Sequence, residues 1–181
     1  TGTQSDPYLI SNGDELHKMA MDGPAVTKGK YYKITADIYL NDVSKSDWKA
    51  NAKPWSSKAF QGHLDGDGHV IYGVYNVNTA TNGFSAFLVN SYLSADNDLV
   101  SIKNLGIENS YFQGDRVAAF LGKTDGAGTD ANFTMENCYA GDNVEVVGKW
   151  SGGLIAYSDK KNITINICYL MLWPLDHVVI I

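Results

Sequence analysis

Along residues 31–40 the side chains alternate, with Tyr32, Ile34, Ala36, Ile38 and Leu40 on one face and Tyr31 and Tyr39 on the other. A period of two predicts a half-buried strand. Pro7-Tyr8-Leu9-Ile10 reads as a shorter strand before it, and residues 11–23 between the two show helical spacing. There Ser11 is placed to cap the N-terminus, and Asp14 and Glu15 suit the positive end of the helix dipole. Leu16, Met19 and Ala20 share a face, and Gly23-Pro24 ends the run. One short amphipathic helix is predicted over about residues 12–22.

Beyond residue 84 the pattern repeats. Phe87-Leu88-Val89, Phe120-Leu121-Gly122 and Leu154-Ile155-Ala156 are apolar triplets 33 and 34 positions apart, each preceded by small residues. Interleaved with them, Val100-Ser-Ile102, Phe133-Thr-Met135 and Ile163-Thr-Ile165 recur at 33 and 30 positions, with Val70-Ile71-Tyr-Gly-Val74 as the expected earlier member. Each unit is read as two short strands. A unit of this size without a helix cannot bury its own apolar face, whereas stacked coils of the same shape can. The fold class that follows is all-β, a parallel β-helix (β-solenoid). The N-terminal helix caps its first coil through Leu16, Met19 and Ala20, and Asn104 and Asn137 are expected to form an amide ladder at a turn. The β-helix domain is assigned to residues 1–169. Residues 170–181, Leu-Met-Leu-Trp-Pro-Leu-Asp-His-Val-Val-Ile-Ile, break the repeat and are set apart as an atypical apolar C-terminal tail, a cap or a self-association surface.

Composition narrows the class of partner. Eighteen glycines and eleven tyrosines among 181 residues favour turns and extended segments over helix. Twenty acidic residues outnumber fourteen basic ones, and Arg116 is the lone arginine, so no basic stripe awaits nucleic acid. No apolar run is long enough to insert in a membrane as a helix. The Thr1-Gly2-Thr3 start has neither the charged nor the apolar region of an export signal, which is expected to have been removed if the protein is exported.

Three phrases carry a resemblance. Asp6-Pro7-Tyr8-Leu9-Ile10-Ser11 leads into Asp14-Glu15-Leu16; Tyr32-Lys33-Ile34-Thr35-Ala36-Asp37-Ile38 follows; then Phe60, Gly62, Leu64-Asp65-Gly66, Gly68-His69, Ile71 and Gly73 recur at fixed spacing. Together with Asn104-Leu105-Gly106-Ile107, Asn137-Cys138-Tyr139 and residues 152–156, this resembles the GLUG-type repeats of bacterial cell-surface proteins. The resemblance implies a right-handed parallel β-helix at the cell surface or secreted, adhesin-like, with no catalytic motif to transfer. Of the triplets only the one ending in Gly122 keeps the glycine usual in that family.

Candidate chemistry is sparse. His63-x-Asp65-x-Asp67-x-His69 would present four metal ligands on one face of an extended strand, but Gly66 and Gly68 favour a turn whose aspartates bind backbone amides. Asp96-Asn97-Asp98 and Gly126-Ala-Gly128-Thr-Asp130 are single copies of loops that would take Ca²⁺; no other cofactor is expected. Catalysis on a glycan would need a base or a carboxylate pair, and the pairs on offer are Asp115 with Asp142 and Glu136 with Glu145. Cys138 and Cys168 occupy equivalent repeat positions and are read as stacked thiols, with a bridge as the alternative. Aromatic rings are the stronger signal: Trp48, Trp55, Tyr72, Tyr75 and Trp150 exceed what a narrow coil can bury and suit stacking on sugar rings. The expectation is a non-catalytic extracellular module that binds polysaccharide or a surface glycan or protein. A lyase-like or hydrolase-like enzyme and a structural spacer are the alternatives.

Overall fold

The computed structural model describes residues 1–159, 162–172 and 177–180; for 171, 172 and 177–180 it describes the backbone. The chain winds through about four coils of a parallel β-solenoid. Each complete coil carries strands in four sheets rather than the two per unit expected from the repeats. In the third coil these are Leu99–Lys103, Gly106–Glu108, Tyr111–Val117 and Leu121–Asp125, one per sheet. In the second sheet Ile38–Tyr39, Val70–Tyr72, Gly106–Glu108 and Tyr139–Ala140 are two or three residues long, too short for an alternating pattern to be recognised.

The repeat arithmetic is confirmed in register. Val100 pairs with Phe133 and then Ile163, and Ile102 pairs with Met135 and then Ile165. Leu88, Leu121 and Ile155 align in the same way. One member is corrected: the strand paired with Ser101–Lys103 from the previous coil is His63–Asp65, and Val70–Tyr72 belongs to the second sheet with Gly106–Glu108. A single inward Leu64 among polar and glycine neighbours gives too little apolar signal to mark that strand. The continuous strand expected over residues 31–40 is also two, Tyr31–Ile34 and Ile38–Tyr39, in different sheets. The alternation carries on because a solenoid corner keeps pointing side chains inward.

The core is a stack of inward stripes: Phe60, Leu64, Phe87, Ile102, Phe112, Phe120, Phe133 and Met135 are all buried. Helix Gly13–Asp22 lays Leu16, Met19 and Ala20 on its N-terminal end, as expected for a cap. The helix's own cap is corrected by one residue. Asn12, in extended backbone, accepts from the Glu15 amide at 3.0 Å, while the Glu15 carboxylate reaches back to the Ser11 amide at 2.7 Å. At the other end His177–Ile180 pairs antiparallel with Tyr169–Leu172, whereas every solenoid pairing is parallel. The side chains of this tail strand, and the self-association expected of it, lie outside the described residues. Among the described residues no helix is long and apolar enough to cross a membrane.

Corners depend on residues that tolerate the left-handed region. Asn104 and Asn137 both sit there, and the Asn137 side-chain amide donates to Asn104 Oδ1 at 3.0 Å, forming the expected ladder, which Asn104 extends to Asp65. A second ladder escaped the sequence reading: Asn143 donates to Asn109 at the next corner, 3.1 Å away. The last member of the first column is Ile167, at φ 52° and 63% exposed. A β-branched residue is strained in this region, and no burial offsets it. Beside it Cys138 and Cys168 are buried and unbridged; their shared hydrogen bond, then burial, pushes the Cys138 thiol up.

Replacing Ile167 by Asn restores the corner residue of the preceding coils. We expect Ile167→Asn to stabilise the protein by about 1 kcal/mol in urea denaturation and Ile167→Val to give no gain.

Candidate functional site

The Asn109 corner launches the third sheet. After it Tyr111 points outward, Phe112 is buried and Gln113 points outward, the period of two that a strand imposes. Tyr75, Tyr111 and Glu145 lie in register across three coils, and the Tyr75 and Tyr111 rings stack at 5.6 Å. Beside this row lies another of Val77, Gln113 and Val147, whose two valines are exposed. Tyr111 Oη–H donates to Gln113 Oε1 at 3.0 Å, which holds the ring upright against the sheet.

A long excursion in the first coil completes the site. Its 3₁₀ turn Trp48–Asn51 sets the half-buried Trp48 ring edge-on to Tyr75, 6.2 Å between centroids. Lys49 follows with its Nζ 5.0 Å over Tyr111 and 2.6 Å from Glu145 Oε1. Its base is pinned where the Asn41 side chain donates to the Lys53 carbonyl and accepts from its amide. The result is an aromatic platform beside the exposed Val77 and Val147, with a cation and a carboxylate at one side. Rings held by stacking and hydrogen bonds offer apolar faces without ordering cost on binding.

The other predicted aromatics are elsewhere. Trp55 is 6% exposed: its Nε1–H donates to the Phe87 carbonyl at 2.7 Å, its ring stacks on Phe87, and His17 meets it edge-on. The expectation that it is an exposed sugar contact is therefore corrected; it closes the core beneath the capping helix. Tyr72 stacks on Tyr39 at 4.6 Å on the second sheet, and burial, with the nearby Glu108 carboxylate, raises its hydroxyl's pKa. Trp150 stands near the end of the third sheet, in register with Arg116. Tyr111 and Lys49 escaped the sequence reading, although Tyr111 follows Tyr75 by 36 positions, close to the repeat length.

The proposed metal ligands do not converge. His63 Nδ1 is 2.9 Å from Ser101 Oγ and its ring stacks on Tyr31; Asp65 pairs with Lys103, Asp67 with Lys33 and His69 with Asp37. The turn at Asp67-Gly68, both in left-handed backbone, breaks the extended strand that one-sided ligation required, and Asp65 accepts from the Asp67 amide as an Asx turn does. Among the described residues no group of three His, Cys, Asp or Glu side chains is arranged to hold a metal. In the two loops read as Ca²⁺ candidates, Asp96 accepts from the Thr129 and Asp130 amides and Asp98 from Ala95, Ser94 and Gln61. Those carboxylates tie successive coils together.

The carboxylate pairs are separated as well. Glu136 lines a shallow groove of about 530 Å³ over the first sheet, with Tyr31, His63, Lys33 and Lys103, while Glu145 lies on the third sheet. Asp115 accepts from Asn82 near the far end of Tyr111–Val117, and Asp142 stands beside Asn109 before that strand begins.

No family model matches the chain. It is 28% identical over 164 residues to halomucin of Haloquadratum walsbyi, an alignment covering 85% of this chain and 1% of that protein. Its fold is similar to a Bacteroides ovatus crystal structure provisionally named an immunoglobulin A1 protease, with a TM-score of 0.59 and 18% identity over 93% of this chain and 58% of that one. The second likeness carries the β-solenoid fold. The chain thus spans a small fraction of halomucin and just over half of the Bacteroides protein.

Trp55→Ala should cost about 3–5 kcal/mol in chemical denaturation, and Trp48→Ala less than about 1 kcal/mol, because only the first opens the core. His63 supplies a pH test. Burial lowers its pKa, so the folded state binds fewer protons than the unfolded chain just below the ordinary histidine value of about 6.5. Its contribution is intact above that pH and is lost as pH falls towards the folded pKa. His63→Gln should flatten the fall in urea midpoint between about pH 7 and pH 5.

Proposed function

We propose that this chain is a non-catalytic surface or secreted module that binds polysaccharide or a surface glycan, adhesin-like, through the aromatic platform of its third sheet. The observation that carries the reading is the in-register Tyr75–Tyr111 stack with Trp48 set against it. The stacked Tyr75–Tyr111 pair with Trp48 edge-on to it is a pre-ordered apolar cluster against which the CH face of a sugar can pack, and Gln113, Lys49 and Glu145 beside it offer hydrogen-bonding partners for hydroxyls. The likeness to halomucin and the resemblance to GLUG-type surface proteins support a surface or secreted role. The scattering of the candidate carboxylates over separate sheets and corners, with Asp115 accepting from the Asn82 amide and Glu145 paired with Lys49, supports a binding rather than a catalytic reading.

Affinity electrophoresis through gels containing a panel of neutral and charged polysaccharides tests this. Tyr111→Ala and Trp48→Ala should each weaken retention by about threefold to tenfold, with thermal unfolding showing that both variants remain folded. Migration unaffected by every polysaccharide would sink the reading and leave a spacer; depolymerisation of any of them would overturn its non-catalytic part.

A further inference from the structure

A second surface, at the corner between the third and fourth sheets, does not depend on the platform. Here Phe84, Arg116 and Trp150 are in-register neighbours on successive coils, and Lys123 and Tyr157 pair across the adjoining fourth sheet. The Arg116 guanidinium lies 5.2 Å from the Phe84 ring centre and 5.5 Å from that of Tyr157. Lys123 Nζ is 5.6 Å over Phe84, and Lys149 Nζ is 5.8 Å over Trp150. Trp150 is 60% exposed and Tyr157 43% exposed. In a chain with net charge −6, the lone arginine and two lysines thus gather around three aromatic rings.

From this corner we infer a binding site for acidic polysaccharide, carboxylated or sulfated. The Phe84 and Tyr157 rings, 6.3 Å apart between centres, adjoin one another and the guanidinium rests against the pair, which leaves its N–H groups away from the rings as the polar surface. One of those donors goes to Asn82 Oδ1 at 3.1 Å. Among the described residues neither Arg116 nor Lys149 is within ion-pair distance of a carboxylate, whereas Lys123 is paired with Asp125 at 2.6 Å. Asp115, the acidic neighbour in the strand, is turned to the Asn82 amide. An arginine fork that rests on rings and whose side-chain partner is neutral can donate two parallel hydrogen bonds to a carboxylate or sulfate. The exposed faces of Trp150 and Tyr157 then take the apolar side of the same or the next sugar. Single-stranded nucleic acid also favours rings and cations, but a corner where, among the described residues, Arg116 and Lys149 are the cations without a carboxylate partner gives its backbone little to track.

Isothermal titration with polygalacturonate, chondroitin sulfate, neutral dextran and an oligothymidylate tests the site. Polygalacturonate, chondroitin sulfate or both should bind, more weakly as salt is raised from 50 to 300 mM, and at least tenfold more tightly than dextran. Arg116→Gln should reduce acidic binding about tenfold or more, Arg116→Lys less, and Trp150→Ala by severalfold. Tyr111→Ala should leave it unchanged. Circular dichroism and thermal unfolding would show that each variant folds. Equal affinity for dextran, loss on Tyr111→Ala but not Arg116→Gln, tighter binding of oligothymidylate, or no acidic binding at all would each overturn the inference. Binding to dextran that needs Tyr111, without acidic binding, would do so while sparing the platform.

Discussion

Within the described solenoid, strands of successive coils hydrogen-bond in parallel and in register, and the rest of the molecule follows from that constraint. A residue at a given coil position has neighbours at the equivalent positions one repeat away, with strands about 4.8 Å apart. Whatever suits a position must therefore suit it repeatedly. Inward positions become stripes of Phe, Leu, Ile and Met, while corners become columns of asparagine. Gly106 shows how tight the stacking is: the Tyr139 ring from the next coil lies where a side chain on residue 106 would begin.

The same constraint organises the surface. Tyrosines at equivalent positions are brought against one another, and three such pairs stack: Tyr39 on Tyr72, Tyr75 on Tyr111 and Tyr139 on Tyr169. Such pairs satisfy one another in part, which lets an amphipathic solenoid flank carry many rings. They become a platform only where something else meets them. On the third sheet the excursion carrying Trp48 and Lys49 does this, and at the adjoining corner Arg116 does it by resting against the adjoining Phe84 and Tyr157 rings. The polar bonds between coils have a comparable role. Asp96, Asp98 and Asp65 resemble loose acidic residues in the chain but each accepts from groups a coil away.

Much of the fold was legible because solenoid repetition is written directly into spacing: the aligned pairs Val100–Phe133 and Leu88–Leu121 are separated by one repeat in the chain and by one hydrogen-bonded step in space. Shorter strands were not, since His63–Asp65 carries one inward apolar side chain and offers no periodicity to read. The site was legible in part. Trp48, Trp55 and Tyr75 all stand out as rings in excess of what a narrow coil can bury; Trp48 and Tyr75 do lie together, whereas Trp55 is drawn inward by a hydrogen bond to the Phe87 carbonyl.

The chain by itself determined the coil period, the inward stripes, the capping helix and the asparagine corner at 104 and 137. These are local or strictly repeating, so a neighbour in the sequence pattern is also a neighbour in space. Only the tertiary structure decided which aromatic rings face solvent and which cations meet them. Those outcomes depend on how a non-repeating excursion and a sheet corner fold back onto the coils, and that folding leaves no period in the sequence.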